Sequence, residues 1–231
     1  MTFIKKVLLG ALSLGIVCCS CQKDLIEYES GDIKVVISEG EEWKHNFDLF
    51  LGLKKKNPPQ VAVWLEDMEG NYLTALYVSH KIATDSWQSN SGDLRKEALP
   101  YWNHKSRHNM GNKVPDALSG ATPKGSFDIR MLPDMGFEKF RVMAEFNHST
   151  DWNEHYPESA KEGNENYTAE SGQPAIIYEA IVDLISDQQE FKAQLIGHSS
   201  LDGTDGSLYT DLSKLTTAKN IVKEITIKRI N

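Results

Sequence analysis

The chain has 231 residues, of which 40% are hydrophobic and 25% charged, and its formal net charge is −8 at pH 7. The length fits one large domain or two small ones, and the composition is typical of a folded core rather than a disordered chain. The acidic balance argues against a nucleic-acid partner, which needs a basic protein face. A mean hydropathy of −0.44 excludes a protein with several membrane spans.

The amino terminus has the pattern of a secretory signal peptide. Two lysines precede the apolar run Val7–Val17, whose 11 residues are too few for a membrane span of roughly 20. All three cysteines follow in Cys18-Cys19-Ser20-Cys21, which is not a disulfide framework. The cluster resembles a bacterial lipobox with Ser20 before the cut, so we predict that Cys21 is lipidated and residues 1–20 are removed. A buried amino-terminal hairpin with free thiols is the alternative.

Lipidation would hold the protein to a bacterial membrane without any span. Loss of the two lysines in residues 1–20 takes the net charge from −8 to −10. Residues 21–31 are then a lipid-anchored linker. Gln22-Lys23-Asp24 resembles the export tag of surface lipoproteins in the Bacteroidetes, although Leu25 stands where the tag has another acid. The expected location is the cell envelope, either periplasmic or surface-exposed.

Residues 32–231 are predicted to form a single all-β domain. The predicted strands are Asp32–Ser38, a hairpin of Gln60–Leu65 with Tyr72–Ser79, a second pair of Phe127–Leu132 with Phe137–Asn147, a third pair of Ala175–Leu184 with Phe191–Gly197, and the closing strand Ile221–Arg229. Only Asp93–Trp102 has a helical pattern, and Pro100 is expected to break it. Many short strands separated by turns predict an antiparallel β-sandwich with a short helical segment. The acidic stretch Asp151–Gln173 is either a mobile loop or a binding loop.

Several segments together resemble the predicted periplasmic proteins of domain of unknown function 2271. The matching residues are Val61–Asp67 with Gly70, Tyr72 and Leu73; then Arg95, Leu99 and Trp102; then Asp116–Phe127; and finally Phe140–Glu145 with His148. The resemblance covers about residues 33–228. The chain departs from it by shortening the hairpin between Arg130 and Phe140, where relatives often have a Trp-Asp-Gly turn. The resemblance implies an immunoglobulin-like sandwich outside the cytoplasm, and it implies no reaction by itself.

A second motif lies at Asp116-Ala117-Leu118-Ser119-Gly120-Ala121-Thr122. It resembles the acceptor motif of extracytoplasmic flavoproteins, such as the flavin-carrying subunits of sodium-pumping quinone reductases. In those proteins a flavin transferase joins the FMN phosphate to the final hydroxyl as a phosphoester, which assigns the acceptor oxygen to Thr122.

Each position of this motif has a physical task. Gly120 and Ala121 leave room for the transferase, Asp116 helps to place the metal or proton during transfer, and Ser119 hydrogen-bonds the phosphate. Lys124 is a further candidate partner for the phosphate. The candidate ring-stacking residues are Tyr101, Trp102, Trp152 and Tyr156, although core packing is the commoner role of such aromatics. A plain loop before the strand at Phe127 is the structural alternative.

His148, Asp151, Glu154 and His155 form the densest cluster of metal-ligating residue types. His148, Asp151 and His155 are therefore candidate metal ligands, but the spacing follows no regular rule and a solvated polar loop is the favoured interpretation. A metal is not expected.

Two functions follow from these observations. The first is a lipid-anchored electron carrier, not an enzyme, with covalent FMN on Thr122, a flavin transferase and a membrane redox partner. The alternative is a cofactor-free sandwich lipoprotein that binds a ligand, a glycan or a protein. An apolar groove beside Thr122 would favour the first, and an aromatic platform at a loop end would favour the second.

Overall fold

A computed structural model describes residues 24–27, 33–48, 54–84, 95–110, 118–131 and 136–230 of the chain. The predicted signal peptide, Cys21 and Asp116 lie outside these residues. In chain order the elements are β1 (Asp24–Glu27), β2 (Ile33–Glu39), β3 (His45–Asp48), β4 (Lys54–Asn57), β5 (Gln60–Glu66), β6 (Tyr72–Ser79), α1 (His80–Thr84), α2 (Pro100–Met110), β7 (Leu118–Gly120), β8 (Phe127–Met131), β9 (Lys139–Asn147), β10 (Ile176–Asp183), β11 (Glu190–Lys192), β12 (Gln194–His198) and β13 (Val222–Arg229).

The strands form two large sheets, which confirms the predicted all-β sandwich with a short helical part. One sheet has the order β1-β8-β2-β13-β11, the other has the order β12-β10-β9-β5-β6-β7, and β3 with β4 forms a separate two-stranded ribbon. Most neighbours are antiparallel, whereas the pairs β1–β8 and β6–β7 are parallel.

The main core lies between the two sheets. On β2 the buried residues alternate with half-exposed ones, and Ile33, Val35 and Ile37 face the core. The other face of the six-stranded sheet is also covered, because Trp64 and Met143 pack there with Trp102 of α2. A strand that is covered on both faces has an apolar run without alternation, as in the Gln60–Glu66 segment of β5.

One of the three predicted strand pairs is wrong, and another is correct only in part. The hairpin of β5 and β6 is confirmed, and β10 pairs with β12 as expected. However, β8 pairs with β1 and β2 in one sheet, while β9 pairs with β5 and β10 in the other. Phe191 likewise belongs to β11, which pairs with β13. Strands close in sequence thus belong to opposite sheets, because β9 is buried on both faces and needs a central place in the covered sheet.

The prediction that Pro100 breaks a helix is also wrong, since Pro100 is the first residue of α2. At this position the missing N–H of proline costs nothing, and the fixed φ suits the helix. The carboxylate of Glu145 accepts hydrogen bonds from the next two backbone N–H groups, those of Tyr101 at 3.2 Å and Trp102 at 2.7 Å. A buried glutamic acid side chain on β9 therefore caps the helix start.

The segment 21–31, predicted to be a linker, contains β1, so the sandwich begins before residue 32. β1 extends the exposed edge of β8 with a parallel ladder, because an edge strand offers unpaired N–H and C=O groups to any extended segment. Neither helix among the described residues is long and apolar enough to cross a membrane.

Candidate functional site

The loops at one end of the six-stranded sheet bring together the segments that the sequence singled out. At this end Gln60 lies opposite Asn147, Ile176 opposite His198, and Ser79 opposite Gly120. The loop that carries Thr122 and the stretch Asp151–Gln173 both begin here. Loops gathered at one end of a rigid sandwich are a common location for binding sites.

Thr122 is half-buried in the connection between β7 and β8. The hydroxyl of Tyr77 donates to the carbonyl oxygens of Gly120 at 3.3 Å and Ala121 at 3.0 Å. Burial raises the pKa of Tyr77, so that its phenol stays protonated and remains a donor. The backbone immediately before Thr122 is therefore held in place by a buried side chain.

The residue after Thr122 is held in the same manner. The indole Nε1 of Trp43 donates to the carbonyl oxygen of Pro123 at 3.2 Å. Trp43 is itself buried, with its ring 6.1 Å from that of Phe127 and 6.0 Å from that of Phe146. Thr122 thus lies between residues whose carbonyl groups are hydrogen-bonded to core aromatic side chains, which limits the motion of its backbone.

The fold itself does not require glycine at position 120. A Cβ atom built on Gly120 would lie 3.5 Å from Cε2 of Tyr77, an ordinary van der Waals distance, and Gly120 does not have a positive φ. Both the space and the backbone conformation at this position would therefore admit alanine.

A cavity of about 230 Å³ adjoins Thr122. Its other lining residues are His45, Lys55, Asn57, Pro58, Gln60, Lys81, Asn147, His148 and Ser149. Two lysines and two histidines are present and, among the described lining residues, no carboxylate. The cavity is polar, and Lys55 and Lys81 give it a positive charge that suits a phosphate. The apolar groove that would favour a flavin carrier is therefore not what the described residues form beside Thr122.

The two histidines of this cavity are fixed by backbone carbonyls. Their ring centroids are 5.3 Å apart; Nε2 of His45 lies 3.2 Å from the oxygen of Thr150, and Nε2 of His148 lies 2.9 Å from that of Glu42. Burial lowers the pKa of His148 to about 3, so this imidazole is neutral at neutral pH.

The predicted metal ligands are not brought together as a set. Nε2 of His148 is engaged by Glu42, Oδ1 of Asp151 accepts from Oγ1 of Thr217 at 2.5 Å, and the half-exposed His155 contacts Glu154 at 3.4 Å. Across the described part of the chain, no three His, Cys, Asp or Glu side chains cluster as a metal site.

The predicted stacking aromatics lie away from the cavity beside Thr122. Tyr101 and Trp102 are buried residues of α2 that pack on the outer face of the six-stranded sheet, Trp152 is half-buried, and Tyr156 is buried. Lys124 is exposed and does not line the cavity either. The structure describes only the backbone of Ser119, as part of β7.

Sequence reasoning missed the lysines and His45, because they come from three separate elements. The ribbon of β3 and β4 places His45 opposite Asn57, and Lys55 lies two residues before Asn57 on β4, while Lys81 belongs to α1. The spacing of these residues in the sequence does not indicate that they lie together. Their proximity is set by the tertiary structure, including the pairing of β3 with β4.

Sequence reasoning also missed the anchor of the long loop 148–175. Glu97 accepts hydrogen bonds from the backbone N–H groups of Ala169, Glu170 and Ser171 at 2.7–3.1 Å. The buried guanidinium of Arg95 donates to the side chains of Ser149, Asn147 and Ser171. The loop is therefore held in place at both ends rather than mobile.

Comparison with known proteins adds no relative: no family model, curated protein or solved structure matches the chain. The resemblance to domain of unknown function 2271 stays a prediction, carried by the residues quoted for it.

Proposed function

We propose that the protein is an envelope lipoprotein that carries FMN covalently on Thr122 and transfers electrons without catalysing a reaction of its own. One observation carries the proposal. The last hydroxyl of the acceptor-like motif lies at the rim of a cationic cavity, between backbone segments that Tyr77 and Trp43 hold in place.

The bonds formed and broken in the attachment step balance. Oγ1 of Thr122 forms a bond to the phosphorus of an FMN group, and the hydroxyl proton leaves to a base. The donor is a flavin dinucleotide, in which the FMN phosphate is already an anhydride, and a flavin transferase releases the other half as a nucleoside monophosphate. The product is a phosphodiester with one negative charge.

That charge matches the cavity beside Thr122. Lys55 and Lys81 line it, and ammonium groups stabilise a phosphodiester by charge-assisted hydrogen bonds. Asn57 and Gln60 add neutral amide groups suited to the ribityl hydroxyls. The polar lining and small volume of the cavity favour the phosphate and ribityl part as the occupant, so the isoalloxazine ring would remain outside and accessible to a redox partner.

The bound flavin supplies one- and two-electron redox chemistry, and the protein supplies its position and surroundings. A carrier of this kind needs a membrane redox partner, and a lipid at Cys21 would keep it beside one.

The test is expression in the periplasm together with a flavin transferase, followed by a denaturing gel under ultraviolet light and intact-mass measurement. Wild type should give a fluorescent band and an FMN-sized mass increment, because a phosphodiester survives unfolding. Thr122→Val should remove both while the sandwich stays folded, and Thr122→Ser should retain part of the signal. Asp116→Ala should reduce the extent of attachment.

Thr74→Val is the matched control, since Thr74 is a half-buried threonine of β6 at the other end of the sheet. It should keep the full signal. An unmodified wild-type protein under these conditions would contradict the proposal, and the cofactor-free binding function would then be preferred.

A further inference from the structure

A second and larger cavity, of about 990 Å³, opens at the same end of the sandwich beyond β12. We call it the β12 groove. Residues 162–167 of the long loop line one side, and residues 198–214 line the other. Its lining shares no residue with the cavity beside Thr122.

An aromatic platform stands in the β12 groove. Tyr209 is 42% exposed, and one face of its ring is stacked on His198 with centroids 5.5 Å apart and an angle of 13°. Its hydroxyl donates to Oδ2 of Asp205 at 2.9 Å. The ring is thus held at its face and at its tip, and its other face is available to a ligand.

The backbone keeps this platform in place as well. His198 and Tyr209 exchange two backbone hydrogen bonds, of 2.8 and 2.9 Å. The two segments approach so closely at Gly197 that an added Cβ would come within 2.4 Å of the carbonyl oxygen of Tyr209. Glycine at 197 is therefore required for the position of Tyr209.

The groove also presents an unused hydrogen-bond acceptor. Nδ1 of His198 lies 2.7 Å from the carbonyl oxygen of Ser199, which can only accept, so Nδ1 carries the proton. In the neutral ring Nε2 is then an acceptor, and it has no hydrogen-bond partner among the described residues. His198 is 9% exposed and lines the groove, where a ligand hydroxyl group can pair with its ring.

The carboxylates around the groove are oriented by their own turns. Asp202, Asp205 and Asp211 each accept a hydrogen bond from the backbone N–H two residues later. Together with Glu162 and Glu165 they give five carboxylates against the single cation Lys214. This balance repels anionic polymers and leaves an excess of acceptors facing any ligand.

The two sides of the groove are connected, so the site is formed before a ligand arrives. Nδ2 of Asn153 donates to the carbonyl oxygen of Lys214 at 3.0 Å, while its Oδ1 accepts from the N–H groups of His155 and Tyr156. Glu97 holds the carboxyl end of the same loop. A preformed groove loses less conformational entropy on binding.

We propose that the β12 groove binds a neutral oligosaccharide. Sugar hydroxyls are donors that match Nε2 of His198 and the carboxylates, and the C–H face of a pyranose ring matches the flat, exposed face of Tyr209. The volume exceeds that of a single sugar unit, so the ligand is a short chain. The site acts independently of any flavin on Thr122.

The probes are four neutral hexasaccharides, with β-1,4-glucose, α-1,4-glucose, β-1,4-xylose and α-1,6-mannose backbones, titrated calorimetrically into the full mature chain. At least one should bind. Tyr209→Ala should weaken that binding by about tenfold or more, because the stacking face is lost. Tyr209→Phe keeps the ring but loses the bond to Asp205, and it should weaken binding by less.

Phe137→Ala is the control. Phe137 is an aromatic residue that is 39% exposed and does not line the groove. This variant should bind like wild type, and so should Thr122→Val. Circular dichroism of each variant checks that it is folded. Failure of all four hexasaccharides to bind wild type would overturn the proposal, as would spermidine binding without any sugar binding, which would indicate a site for cations.

Discussion

Asp24, the first residue of β1, lies opposite Phe127, the first residue of β8, in a parallel strand pair. Both strands therefore start at the end of the sandwich that carries Thr122, only five residues before Phe127. Cys21 precedes Asp24 by three residues, and three peptide steps span at most about 11 Å. A lipid on Cys21 would thus hold the Thr122 end of the sandwich close to the membrane.

This orientation is measurable with single fluorophores. We expect a dye on Ala121→Cys, an exposed position next to Thr122, to be quenched by a quencher embedded in the lipid bilayer. A dye on Phe137→Cys should be quenched much less, because Phe137 precedes β9 at the opposite end of the strand from Asn147. Equal quenching of the two dyes on vesicle-bound lipoprotein would show that the short tether does not orient the sandwich.

Gly120→Ala should separate folding from modification. The added methyl group meets Tyr77 at an ordinary distance, so the free energy of unfolding should change by less than about 1 kcal/mol. Flavin attachment should nevertheless fall, because the extra carbon adds bulk two residues before the acceptor hydroxyl, in the motif that the transferase must recognise. Urea unfolding and in-gel flavin fluorescence measure the two effects. Loss of stability in parallel with loss of attachment would indicate that Gly120 serves the fold.

The features that the sequence predicted correctly are local ones. The hairpin of β5 and β6 follows from a polar turn in which Gly70 has a φ of 84° and Asp67 accepts from the N–H groups of Glu69 and Asn71. The closing strand predicted at Ile221–Arg229 likewise matches β13, which spans Val222–Arg229.

Features that depend on tertiary structure were missed. Nothing local separates β8 from β9 into opposite sheets, since that choice depends on which strand is covered on both faces. The convergence of Lys55, Lys81 and His45 beside Thr122 and the stacking of Tyr209 on His198 depend on the same long-range pairing.

Glu97→Gln should loosen the long loop. Three backbone N–H groups donate to this carboxylate, and the amide keeps only one acceptor oxygen without the charge. We expect a loss of about 2 kcal/mol in the free energy of unfolding. Limited proteolysis should cut faster within residues 157–166, and oligosaccharide binding should weaken. The control Glu154→Gln changes a carboxylate of the same loop whose side chain is 83% exposed, and it should behave like wild type. Equal proteolysis of both variants would contradict the anchoring role of Glu97.

Glu145 should make stability depend on pH in the neutral range. Burial raises its pKa to about 8 in the folded chain, against an ordinary value of 4.5, although Trp102 and Tyr101 donate to it. The folded state therefore favours the protonated acid, whose contribution is complete below about pH 4.5 and is lost as the pH rises through 8. The free energy of unfolding of wild type should fall from pH 5 to pH 8, with a slope of at most about 1.4 kcal/mol per pH unit from this group.

Glu145→Gln removes the titrating group at nearly constant volume, and the amide oxygen still accepts from the start of α2. Its free energy of unfolding, measured by urea at pH 5, 6, 7 and 8, should stay nearly constant, so it should be close to that of wild type at pH 5 and increasingly exceed it toward pH 8. The control is Glu224→Gln on the exposed surface of β13. Hydrogen bonds from Lys192 and Thr226 lower the pKa of Glu224, so this group stays ionised from pH 5 to pH 8 and its removal should leave the slope unchanged. If Glu145→Gln keeps the full wild-type slope, the pH dependence arises elsewhere, and the carboxylate at the start of α2 is ionised throughout this range.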